Sequence, residues 1–206
     1  MKINLTVGHS MATVESETAV QPAQRLFTIA DLDALPTELP SGPIDYELDN
    51  GRLIFVVPPG DTHGAVQSNI VTELKLQGER KGQGKVRTEV GVILWRNPDR
   101  VVNPDVLFIA NKSLPIRRSR EGYLETIPEL VVEIRSKNDS VKYVERKAQH
   151  YLKAGVEMVW IADPESMTVI AHMATGEPIV FGEGDMLQLP SLIPGFSMPV
   201  ADVFRE

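Results

Sequence analysis

Apolar positions along this chain change their spacing several times, and each change marks an element. Phe27 to Leu35 carries a short helical pattern, with Thr28 placed to cap it and Pro36 to end it. Asp45 to Val57 reads as a hairpin about Asn50-Gly51, a pair suited to a type I′ turn because both positions need positive φ. From about His63 to Arg80 the spacing lengthens: Val66, Ile70 and Leu74 recur every four residues as the buried stripe of a helix, with His63 at its start. Lys85 to Trp95 alternates as a strand should, and Val101 to Ala110 is a second strand in which Pro104 predicts a bulge or strand entry just before Asp105. Residues 111–128 hold two prolines and read as a loop.

Leu130-Val131-Val132-Glu133-Ile134 is a buried strand with one carboxylate set into it. A polar turn follows, then a helix to Ala154 that Gly155 stops. Met158 to Ala162 is a further buried strand, and Thr168–His172, Pro178–Phe181 and Met186–Leu189 add shorter ones. The order predicts an α/β fold: a mixed β-sheet flanked by helices, with an N-terminal β-hairpin and extra C-terminal strands. Residues 1–25 lack periodicity and predict a flexible arm, leaving 26–206 as one domain.

Composition narrows the classes. The 206 residues are 42% hydrophobic and 24% charged, as in ordinary soluble domains. No cysteine is present, which excludes disulfides and thiolate metal sites. No apolar run approaches the ~18 residues of a membrane span, and the N-terminus lacks the apolar block of a signal peptide. The expected compartment is the cytoplasm, with no membrane partner. A net charge of −7 gives no general attraction to nucleic acid, although Arg117-Arg118-Ser119-Arg120 and Glu79-Arg80-Lys81 are local basic clusters.

A lone carboxylate in a buried strand is costly unless something pairs with it or binds it. Asp105 and Glu133, on separate strands, offer the two oxygen donors with which Mg²⁺ is usually held, and the Ile134 carbonyl is a third candidate. Such a site also needs a cation near the scissile phosphate. Arg135 can clamp phosphate but cannot act as a base. At about 100° per residue, Val144, Ala148, Tyr151 and Leu152 share one sector of the last long helix. Lys147 lies at its margin, about 60° from Val144, while Lys142, Arg146 and Lys153 point nearly opposite. Each residue has a plain alternative: Glu133 in an ion pair, Asp105 in a turn, Lys147 covering the core edge, His63 starting a helix, Glu47 facing water. Only their combination points to chemistry.

That combination resembles the PD-(D/E)XK nuclease core, and within it the Uma-two family of restriction-type endonucleases. The resemblance rests on Tyr46-Glu47-Leu48 with Gly51, His63 opening a helix, Asn103-Pro104-Asp105-Val106, and Leu130 through Ser136. It continues through Lys147, Tyr151, Gly155-Val156 and Trp160 to Pro164. It implies a restriction-endonuclease-like core and Mg²⁺-dependent (or Mn²⁺-dependent) hydrolysis of DNA by a homodimer. Asp105 and Glu133 would be metal ligands together with the Ile134 carbonyl. Lys147 would replace the lysine usually found two residues after the glutamate, where Arg135 stands, with Glu47 and His63 as supporting residues. The alternative is a nuclease-fold module that binds nucleic acid or protein without cutting.

Overall fold

The structure, a computed structural model, describes residues 25–206 except 41, 57 and 138; the arm expected over 1–25 lies almost wholly outside them. The chain begins with α1 (Ile29–Asp33), whose N-cap Thr28 and residue Asp31 cap each other reciprocally. Strands β1 (Asp45–Asp49) and β2 (Arg52–Val56) form the hairpin, and Asn50 and Gly51 both have positive φ, 52° and 77°. Helix α2 spans Asp61–Leu74 and widens into a π turn over Lys75–Glu79. There Gly78 lets Phe108 and Ile193 approach; a Cβ at this position would sit 3.0 Å from Ile193 and 3.1 Å from Phe108.

The two alternating runs that follow are each divided. The first is β3 (Gly84–Arg87) and β4 (Val92–Trp95); the second is β5 (Arg100–Val102) and β6 (Val106–Ala110). Next come β7 (Leu130–Ile134), α3 (Val141–Ala154), β8 (Met158–Asp163), β9 (Thr168–Met173) and β10 (Ile179–Phe181). Strands β11 (Met186–Gln188) and β12 (Ser197–Pro199) pair with each other, and α4 (Val200–Val203) ends the fold.

The mixed sheet has six strands in the order β10-β9-β8-β7-β6-β3, with β7 and β8 its parallel pair and α3 the crossover between them. The hairpin belongs to a second sheet of four strands, β2-β1-β5-β4. Each long run therefore begins in one sheet and ends in the other. Alternation predicts one strand over 85–95, because a strand that changes sheets keeps its period of two; over 101–110 the strand entry expected at Pro104 is where the break falls. The breaks fall at 88–91, where Glu89 has φ 51°, and at Asn103-Pro104-Asp105. A Cβ on Gly91 would meet the Tyr123 ring at 2.2 Å, so the first crossing needs glycine.

Core packing follows the alternation. Val106, Phe108, Val132, Ile134 and Trp160 face α2 and the C-terminal segment; Leu107, Ile109, Val131, Val159 and Ile161 face α3. Full burial of one such side chain stabilises by roughly 1.5–3 kcal/mol, so both helices are held firmly against the sheet. A third cluster, Ile29, Leu32, Leu48, Ile93 and Val101, fixes the second sheet beneath α1. The loop over 111–128 contains one 3₁₀ turn at Asn111–Ser113 and is tied down where Leu124 N–H donates to the Gly91 carbonyl and Ile93 N–H donates to the Leu124 carbonyl.

Candidate active site

The antiparallel pair β6–β7 sets Val106 opposite Val132 and Leu107 opposite Val131. One step further the same register brings Asp105 beside Glu133, where β6 has only just entered the sheet after Pro104. Asp105 Oδ2 accepts the Ile134 backbone N–H at 2.6 Å, which fastens the break to the end of β7. His63, in the first turn of α2, places Nε2 3.1 Å from Asp105 Oδ1. This is ion-pair distance without hydrogen-bond alignment, and both buried ring nitrogens lack a hydrogen-bond partner. Burial opposes a charge on His63, but the Asp105 carboxylate outweighs it, with Glu133 and Glu89 adding to the effect, and the pKa rises.

Glu133 is held from α3. Its Oε2 lies 3.0 Å from Lys147 Nζ, and its Oε1 accepts from the Tyr151 hydroxyl. Lys147 Nζ is also 3.0 Å from Glu47 Oε1 on β1, so the lysine bridges two acids from different sheets. Glu47 Oε1 in turn accepts the Asn103 N–H at 2.9 Å. Glu47, Glu133 and Lys147 are 3%, 6% and 9% exposed, so these charges interact through protein rather than water.

Three carboxylates thus face one lysine and a histidine. Burial first, then the charges of Asp105 and Glu47, push Glu133 from 4.5 up to about 7 against the pull of Lys147 and Tyr151. Lys147 moves upward: burial opposes its charge, but Glu133 and Glu47 dominate. It therefore stays protonated and serves as a fixed positive charge rather than a base. Burial, with Glu133 and Glu47, raises Tyr151 well above its ordinary value and keeps it a donor.

Of the residues singled out from sequence, Glu47, His63, Asp105, Glu133, Ile134 and Lys147 come together. Arg135 is not brought into this cluster. Its Nε pairs with Asp163 at 2.9 Å, its Nη2 with Glu165, and its Nη1 donates to the Asp139 carbonyl at 3.2 Å. Those contacts pin the turn after β7 to the end of β8. They engage the guanidinium with two carboxylates and a carbonyl, away from Asp105 and Glu133.

Three contributors have no role assigned from sequence: Tyr151 and Asn103 enter only as letters of the family resemblance, Tyr151 also as part of a buried sector, and Gln67 does not enter. Gln67 Nε2 donates to the Asp105 carbonyl at 2.9 Å and to Glu89 Oε1 at 3.0 Å. Both side-chain contributors sit four residues beyond a residue already singled out, Tyr151 after Lys147 and Gln67 after His63, and that spacing places them on the same helix face.

Among the described residues, no three His, Asp or Glu side chains form a ready-made ion cage. The arrangement offers Zn²⁺ no cysteine and a single imidazole, whereas Zn²⁺ sites draw mostly on several Cys and His ligands. It fits a hard divalent cation that keeps several waters and uses two carboxylates, since buried Glu133 and half-buried Asp105 stand side by side and repel each other. A surface cavity of about 550 Å³ lined by Lys112, Arg117, Thr126 and Glu129 contains none of these residues, and Glu129 there is spent on Ala110 N–H and Ser113.

A family model described as a putative restriction endonuclease, Uma2, matches residues 29–201. Among solved structures the chain is similar to a putative nuclease belonging to DUF820 from Anabaena variabilis. The TM-score is 0.68 at 24% identity, covering 83% of this chain and 93% of that one. No curated protein matches the chain by sequence.

Proposed function

The chain belongs to the Uma2 putative restriction endonuclease family, and from that premise we propose that it is an endonuclease hydrolysing DNA phosphodiester bonds with Mg²⁺, which Mn²⁺ can replace. The observation that carries this reading is geometric: the β6–β7 register sets the Asp105 and Glu133 carboxylates side by side, with Lys147 Nζ 3.0 Å from Glu133 Oε2. Asp105 and Glu133 would hold the ion, with the Ile134 carbonyl close by. When bound, Mg²⁺ supplies charge neutralisation at the phosphoryl group and a more acidic water.

The remaining work falls to the chain. Lys147 presents a fixed charge to a phosphodiester oxygen, and Glu47 and Asn103 hold that lysine in place. His63, 3.1 Å from Asp105 Oδ1, would place a positive charge beside that carboxylate when protonated. Cutting both strands of a duplex calls for two sites, and the proposed active species is a homodimer.

Plasmid nicking tests the reading. Cleavage should require Mg²⁺ or Mn²⁺ and disappear in Asp105→Ala and Glu133→Ala. Equal DNA binding in EDTA, with no cleavage in either metal, would make the chain a binding module instead.

A further inference from the structure

Tyr151 is 1% exposed, its ring packed among Val144, Ala148, Val159 and Ile161 on the α3 face of the sheet. Phenylalanine would fill that space equally well. The hydroxyl has one recorded partner, Glu133 Oε1, while Lys147 takes Oε2. Both donors come from one helix, four residues apart, and approach the carboxylate from a single rigid element. The last torsion of a glutamate is broad and roughly two-fold, so a carboxylate held at one oxygen only can turn about it. Held at both, Glu133 has a fixed plane, and each oxygen keeps a lone pair free for a further partner.

We propose that Tyr151 is a positioning residue that fixes the plane of the Glu133 carboxylate and thereby sets the affinity of the site for a divalent cation. This rests on the metal-site reading above. Tyr151 acts through Glu133 and takes no part in bond breaking. Groups that orient a metal-binding side chain typically change metal affinity 10- to 100-fold when removed.

The test uses the full chain with Mn²⁺ as probe, titrated calorimetrically, alongside the metal dependence of DNA cleavage. Tyr151→Phe should unfold cooperatively in EDTA and bind Mn²⁺ about 10- to 100-fold more weakly. Its cleavage should need correspondingly more metal, while the rate at saturating metal stays near wild type. With 4-aminophenylalanine at position 151, which restores a donor, affinity should return. In a Glu133→Gln background, Tyr151→Phe should cost nothing further.

Unchanged Mn²⁺ affinity in Tyr151→Phe overturns the inference, as does a collapse of the saturated rate at unchanged affinity. A variant that no longer folds overturns it in favour of a purely structural role. Wild-type protein that binds no Mn²⁺ removes the metal-site reading itself, and that result is read separately from the variant's.

Discussion

Lys147 on α3 meets Glu133 on β7 at 3.0 Å, across a turn and the first half of a helix. The same ammonium lies 3.0 Å from Glu47 in the other sheet, so one lysine joins the hairpin, the central strands and the crossover helix. Its removal leaves two buried carboxylates without their cation. Breaking such a buried pair typically costs about 3–5 kcal/mol. Lys147→Met should therefore melt well below wild type in EDTA, recover part of the loss in Mg²⁺, and cleave at least ~100-fold more slowly. Lys147→Arg should not rescue it, because the planar fork does not fit a point-charge niche. Differential scanning calorimetry and a nicking assay read both outcomes.

The raised pKa of Glu133 makes stability depend on pH. Its carboxyl titrates near 4.5 when unfolded and at about 7 in the fold, so between these values the native state holds the extra proton. Stability then falls as pH rises through that window, and the contribution is complete below 4.5 and gone above about 7. The gap is worth on the order of 3 kcal/mol. The raised pKa of His63 acts in the same direction, its contribution being lost as pH rises through the folded value. In EDTA, wild-type melting temperature should fall between pH 5 and pH 8 by several degrees more than that of Glu133→Gln, which carries no charge there to titrate. Parallel curves would contradict this.

Arg135, two residues after Glu133, has its side chain taken by Asp163, Glu165 and the Asp139 carbonyl. Arg135→Ala should cost about 1 kcal/mol or less from the exposed Glu165 pair and somewhat more from Asp163. DNA cleavage at saturating Mg²⁺ should remain near wild type. A loss of activity comparable to that of Lys147→Met would place the guanidinium in the chemistry after all.

Much of this arrangement is written in local spacing. The Asn50-Gly51 turn, the Val66-Ile70-Leu74 stripe and the inward lysine of α3 each follow from periods of two or 3.6, and the structure places them accordingly. The division of 85–95 and 101–110 between two sheets is not local: alternation is the same on both sides of a crossing, and only the partner strands reveal it. Local spacing reads Glu47 as a hairpin residue facing water, and only the family resemblance draws it to the site, because its partner Lys147 lies a hundred residues away in sequence and on another element. Arg135 looked available for phosphate because Asp163 and Glu165 come beside it only through the parallel pairing of β7 with β8. The hydroxyl of Tyr151 was hidden for the opposite reason: an aromatic residue on a buried sector is fully accounted for by packing until its polar end is located.

The most direct measurement is anomalous diffraction from crystals of the full chain soaked in Mn²⁺. The expected result is one strong peak within coordination distance of both the Asp105 and Glu133 carboxylates, absent from crystals of Asp105→Ala. A clear map with no peak there at saturating Mn²⁺, or a peak held by other residues while DNA is still cleaved, would contradict the metal site.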